Sequence, residues 1–130
     1  MKSVGWGATS GTKDVRAGHA HADEAVSGFV VSCLQAAHSA YPETIDTASI
    51  SGETAARKTG EQMLQALCEA GLLIGGLAQL RYTSSGHASF QRASQSDPVI
   101  AAHLEGDATV APSIFVLALL KEHAARQFDP

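Results

Sequence analysis

Apolar positions follow a helical period in the first third of the chain. Between positions 23 and 40 they recur every three or four residues, as on one face of an α-helix. The members of this face are Val26, Phe29, Val30, Cys33, Leu34 and Ala37. The pattern predicts a helix over 23–40 that ends before Pro42, because the residue preceding a proline avoids the helical region.

The residues before this helix show no such period. Positions 1–18 are rich in glycine, serine and threonine, a composition typical of irregular chain ends. We therefore predict a flexible N-terminal arm over 1–18 and a single domain over 19–130.

Two short helices are predicted in the middle of the chain. The segment 43–50 is compatible with a short helix or with a strand. A helix is predicted over 52–58 and another over 59–70, where Thr59 and Gln62 have the spacing of a capping box. The inner face of the second helix is formed by Met63, Leu64, Leu67, Cys68 and Ala70.

A β-hairpin is predicted after the second of these helices. Gly71 suits the left-handed position that follows a helix C-terminus. Two apolar arms then flank Gly75 and Gly76, a pair that fits a two-residue hairpin turn. Thr83 is a candidate N-cap for a helix that reaches about Arg92.

Two helices are predicted in the last third of the chain. The first covers 98–104, because Pro98 suits the first helical position. The second covers 112–128 and opens with the sequence SIFVLALL, which is apolar on all sides. A helix of this kind is buried in the core or in a partner interface. These elements predict an α+β fold, mostly α, with a helical core, a short β-hairpin and a C-terminal apolar helix.

The helix, hairpin and helix between 59 and 93 resemble the second half of a winged helix-turn-helix domain. The matching features are the helix end LQALCEAGLL, the short hairpin, and the segment LRYTSSGHASF, in which Thr83 to Gly86 fit a T-x-x-G pattern. The resemblance implies that 23–40 and 52–58 are the first two helices of a winged-helix-like domain. It also implies a DNA-binding transcriptional regulator.

The resemblance further implies which residues contact double-stranded DNA. In this class the recognition helix enters the major groove, and its outward positions here are Lys58, Gln62, Gln65 and Glu69. Gln62 and Gln65 would bind adenine through their side-chain amides. The residues expected to contact phosphates are Arg57, Lys58, Thr59, Arg81 and Ser84.

The charge of the chain opposes a general nucleic-acid binder. The 130 residues fit one domain and carry a formal net charge of −4, whereas DNA-binding domains are usually basic. The segment 71–96 holds Arg81 and Arg92 and no acid, but Glu61 and Glu69 lie on or near the side predicted to face DNA. The alternative is a non-enzymatic protein-interaction or dimerisation module. A homodimer through the C-terminal helix is expected in either case.

One cluster of potential metal ligands lies near the start of the predicted domain. His19, His21, Asp23 and Glu24 fall within one short segment, and imidazoles and carboxylates bind metals. The alternative is the solvated first turn of a helix, which we favour, so no metal or cofactor is predicted. No combination of nucleophile, base and orienting group is recognisable, so an enzyme is the less favoured class.

The cysteines and the hydropathy of the chain bear on its compartment. Cys33 and Cys68 lie on apolar helix faces and are interpreted as buried thiols in a reducing environment. No apolar leader segment follows Lys2, and the longest apolar run, 114–120, is far too short to span a membrane. The expected location is the cytoplasm, without a membrane partner.

Overall fold

The computed structural model describes the backbone of residues 10–106 and 110–128 and the side chains of 23–106 and 110–127. Its elements in chain order are α1 (Ser10–Ala40), a 3-10 turn (Thr47–Ser49), α2 (Thr54–Glu69), β1 (Leu73–Ile74), β2 (Arg81–Tyr82), α3 (Ser84–Ser96), α4 (Pro98–Leu104) and α5 (Pro112–Phe128). The described residues are mostly helical, with one two-stranded antiparallel sheet. The predicted fold class, α+β and mostly α, is confirmed.

The first helix is longer than its apolar pattern indicated. α1 begins at Ser10 instead of near position 23, so residues 10–18 are helical in backbone although an irregular arm was predicted there. Extending an existing helix adds one hydrogen bond per residue without a new nucleation cost, and a polar extension leaves no apolar period to detect. Residues 1–9 of the predicted arm lie outside the described residues, and the division into arm and domain stays a prediction.

The second helix is continuous where two helices were predicted. α2 runs from Thr54 to Glu69, so Thr59 is an exposed interior position and forms no capping box. The capping-box spacing of Thr59 and Gln62 was misleading, and the adjacent Gly60 serves the packing of α1 on α2. A Cβ at Gly60 would lie 2.5 Å from Cδ2 of the Phe29 ring, so only glycine lets the ring approach the helix this closely.

The hairpin has the predicted place but a different turn. Leu73 pairs with Tyr82 and Ile74 with Arg81, so the loop between the strands spans 75–80 and the predicted two-residue turn at Gly75–Gly76 is wrong. The loop is long because its residues pair with the segment that precedes α2. Ile45 and Leu80 form an isolated antiparallel bridge. The ambiguous segment 43–50 is therefore part bridge and part 3-10 turn.

The next two helices begin where the sequence predicted. The Thr83 side chain accepts a hydrogen bond from the amide of Gly86 at 2.9 Å, as predicted for an N-cap. α3 continues to Ser96, past the predicted end at Arg92, and α4 begins at Pro98 as expected. Between them Asp97 caps α4 by accepting from the amide of Val99 at 2.9 Å.

The core lies where α1, α2, the hairpin and α5 meet. Its largest fully buried side chains include Phe29, Leu34, Leu64, Leu67, Leu72, Leu80, Tyr82, Phe115 and Leu119. Tyr82 joins two of these elements, because its hydroxyl donates to the carbonyl of Leu34 in α1 at 3.0 Å. This core fixes which sides of α2 and α5 turn away from the rest of the molecule.

Candidate interaction surface

The outward side of α2 carries a regular row of polar residues. Lys58, Gln62, Gln65 and Glu69 are spaced by four, three and four residues, and all are exposed. At 3.6 residues per turn this spacing places them on one face of the helix. We call this row the polar stripe.

An apolar groove runs beside the polar stripe, between α2 and α5. It has a volume of about 400 Å³. The residues that line it are Thr59, Gln62, Met63, Ala66, Ser113, Ile114, Val116, Leu117 and Leu120. We call it the α2–α5 groove. Gln62 belongs both to the groove and to the polar stripe.

The groove exists because α5 has more apolar positions than the core can cover. Phe115, Val116 and Leu119 are buried against the body of the protein. Ile114 and Leu117 point away from it, with 51% and 50% of their surface exposed. A helix that is apolar on all sides thus buries one side and leaves another in solvent. Contiguous exposed apolar surface of this kind marks interaction sites.

Arg57 faces the interior side of α2, although it was predicted to contact phosphate. One terminal nitrogen donates to the carbonyl of Thr47 at 2.8 Å and the other donates to the carbonyl of Ile50. The guanidinium carbon also lies 4.9 Å from the centre of the Phe29 ring, within range of a cation–π interaction. Arg57 therefore holds the 3-10 turn against α2.

The other residues predicted to contact DNA lie on three different elements. Lys58, Thr59, Gln62 and Gln65 are exposed along α2. Arg81 is half-buried in β2, and Ser84 is exposed at the start of α3. Thr59 and Gln62 come together in the groove, which Arg81 and Ser84 do not line.

The apolar residues that complete the groove were not among the predicted site residues. Ile114 and Leu117 come from α5, and Met63 was predicted to lie on the inner face of the recognition helix. For Ile114 and Leu117 the apolar run at the start of α5 was an indication. This run did not decide whether the core or a partner buries it. Which positions of α5 remain exposed depends on how this helix packs against the others. The hydrophobic periodicity of the sequence does not determine that packing.

The buried side chains of Ser89 and His123 form a hydrogen-bonded pair away from the groove. The Ser89 hydroxyl donates to the carbonyl of Ser85 at 2.9 Å, and the same oxygen lies within hydrogen-bond distance, 2.8 Å, of Nδ1 of His123. Burial and then the charge of Arg126 lower the pKa of His123 below 6.5. Burial followed by the charge of His38 likewise lowers the pKa of His87.

Neither a metal centre nor a reactive thiol is apparent in the described part of the chain. No group of three potential metal ligands occurs among the described residues, while the side chains of His19 and His21 lie outside them. Cys33 and Cys68 are free thiols; Cys33 is buried and Cys68 is partly buried. Desolvation raises the pKa of Cys33 to about 11, which suppresses the reactive thiolate.

Comparison with protein-family models, with curated proteins and with solved structures gives no match to this chain. Among the described residues, no helix combines the length and apolar character that crossing a membrane requires. The function is therefore inferred from the residues of the chain itself.

Proposed function

We propose that this protein is a non-enzymatic interaction module that docks a protein partner in the α2–α5 groove. The proposal rests on Ile114 and Leu117, which are half-exposed and line a groove of about 400 Å³. Fully burying side chains of this type stabilises a complex by roughly 1.5–3 kcal/mol each relative to full exposure.

The composition of the surface also supports a protein partner. The centre of this surface is apolar, and the polar stripe forms a polar edge on one side of it. Protein interfaces have this arrangement, with few charges at the centre and solvated polar groups around it. The groove lining contains no Asp, Glu, Lys or Arg, so a docked apolar side chain would leave no charge buried without a partner.

Site-specific photo-crosslinking in the native host tests this proposal. A photoreactive amino acid at Leu117 should give a discrete protein adduct. The same probe at Gln95, which is exposed on α3, should give none. Adding Ile114→Asp to the Leu117 probe should abolish the adduct, because a carboxylate in the groove opposes apolar docking. The absence of an adduct at Leu117, or equal adducts from both positions, would contradict the proposal.

A second candidate function is that of a winged-helix-like DNA-binding regulator. It is favoured by the order of helix, antiparallel hairpin and helix, and by the exposure of Lys58 and Gln65 on α2. Two observations weigh against it. Arg57 is committed to carbonyl groups of its own chain, and α2 lacks the turn that separates two helices in a helix-turn-helix.

A gel-shift series over salt concentration tests this second candidate. A DNA-binding protein loses affinity steeply as salt rises, because its phosphate contacts release counterions. Lys58→Glu and Arg81→Glu should each weaken binding, and Lys121→Glu on α5 serves as the charge-matched control. Arg57→Glu is unsuitable, since it would disturb the fold. If no DNA binds at the lowest salt, this candidate is rejected.

A further inference from the structure

We infer that the partner docked at the α2–α5 groove is a second copy of this chain, related by a two-fold axis that sets the two α2 helices antiparallel. This inference rests on the proposed function and names the partner. It is carried by the order of charges along the polar stripe and by the position of that stripe beside the groove.

The polar stripe is symmetric about its own midpoint. Lys58 and Glu69 lie at equal distances in sequence from the point between Met63 and Leu64, and the same holds for Gln62 and Gln65. A two-fold axis that lies beside the stripe, perpendicular to α2 and at the level of this point, sets the stripe antiparallel to its copy. Lys58 then meets Glu69 of the partner copy, and Gln62 meets Gln65 of the partner copy.

Both kinds of pair are chemically complementary. A lysine opposite a glutamate is attractive, and the two-fold axis makes this pair twice. A side-chain amide both donates and accepts hydrogen bonds, so two facing glutamines satisfy each other. Within the described residues neither Lys58 nor Glu69 forms an ion pair, so both are available to a partner. A parallel arrangement would instead place lysine against lysine and glutamate against glutamate.

The groove lies at the level of this midpoint. Its lining extends from Thr59 to Ala66 on α2, a range that contains the point between Met63 and Leu64. The same two-fold axis therefore brings the exposed Ile114 and Leu117 of each copy toward the apolar surface of the other. A symmetric dimer uses one surface twice, so that surface must be complementary to itself. The stripe meets this requirement because its opposite charges face each other, and the groove meets it because apolar surface faces apolar surface.

Charge exchange between the two ends of the stripe tests the inference. The dimer dissociation constant is measured by analytical ultracentrifugation at low ionic strength. Lys58→Glu and Glu69→Lys should each raise it by about tenfold, because each replaces two attractive pairs by two repulsive ones. The double variant Lys58→Glu/Glu69→Lys restores opposite charges and should return the constant to within about threefold of the original.

Two controls separate association from folding. Glu43→Lys changes the charge by the same amount as Glu69→Lys at an exposed position outside the stripe, and it should leave the dissociation constant unchanged. The variants of the stripe place a negative charge toward the start of α2 and a positive charge at its end, which the helix dipole favours. Thermal unfolding followed by circular dichroism should therefore show all variants folded.

The inference is overturned if the wild-type chain stays monomeric up to about 500 µM, or if the double variant associates no better than the single ones. These failures differ from that of the proposed function. A monomer whose Leu117 probe still crosslinks another protein would reject the second copy and keep the docking groove. A monomer without any Leu117 adduct would reject both.

Discussion

Arg57 and Lys58 are neighbours in sequence but have different roles on α2. Arg57 turns toward α1, where its guanidinium lies over Phe29 and donates to two backbone carbonyls. Lys58 turns outward and heads the polar stripe. One side of the helix is thus fixed by the fold, while the other side exposes the polar stripe.

This difference separates the stability of the chain from its interactions. On the inner side of α2, Gly60 admits the Phe29 ring at a distance that no side chain would allow, and Leu64 and Leu67 are fully buried. On the outer side, Lys58 and Glu69 flank two glutamines beside a groove lined mainly by apolar residues. Changes on the inner side should therefore alter unfolding, and changes on the outer side should alter association.

The largest expected effect is from Phe29→Ala. Removing this buried ring should lower the free energy of unfolding by about 3–5 kcal/mol, because it leaves a cavity against Gly60 and removes the surface beneath Arg57. Ile114→Ala is the contrasting change and should cost less than about 1 kcal/mol in the monomer, because Ile114 is already half-exposed. Urea denaturation at low protein concentration measures both. Similar losses of unfolding free energy in the two variants would contradict the distinction between the packed core and the exposed interaction surface.

A smaller effect is expected from Arg57→Met. The long apolar stem is kept, but the carbonyls of Thr47 and Ile50 lose their donors, which should cost about 2 kcal/mol of unfolding free energy. Lys58→Met is the matched control on the outer face and should change unfolding by no more than about 0.5 kcal/mol. Equal effects in urea denaturation would mean that Arg57 does not hold the 3-10 turn as described.

The smallest expected effect is the dependence of the unfolding free energy on pH, which arises from histidines outside the interaction surface. Burial places the pKa of His123 below its ordinary value of 6.5, so below pH 6.5 the unfolded chain binds protons that the folded chain does not. Stability should be fully present above this pH and decline as pH falls below it; His87 acts in the same direction. The groove and the stripe contain no histidine, so the contribution of these two histidines arises outside the proposed interaction surface.

Urea denaturation from about pH 7.5 down to about pH 5 measures this dependence. The variant His123→Gln should show a flatter profile than the wild-type chain. A wild-type stability that stays constant or rises toward pH 5 would have the wrong sign, and an unchanged profile in His123→Gln would remove this histidine from the explanation.

The sequence predicted those parts of the fold that depend on local pattern. The apolar faces of α1 and α2, the Thr83 cap and the start of α5 at Pro112 all follow from nearby residues. The spacing of Thr59 and Gln62 misled, because a capping-box pattern can also occur inside a helix, and α2 is continuous through both residues. The length of the hairpin loop was missed because it depends on pairing between Ile45 and Leu80.

The candidate site was predicted only in part. The exposure of Lys58, Gln62 and Gln65 followed from helical spacing. The role of Arg57 did not, because the carbonyls it binds belong to a turn whose position is set by tertiary structure. The apolar run in α5 indicated either a core helix or an interface. The packing of Phe115 in the core shows which residues of this run remain exposed to solvent.

Light scattering on the purified chain over a concentration series tests the central claim most directly. The account predicts that the molar mass rises toward twice the 13.4 kDa of one chain, and that Leu117→Glu, which places a charge in the groove, stays at the single-chain mass. A wild-type mass that remains at 13.4 kDa throughout the series, or a Leu117→Glu variant that still dimerises, would contradict it.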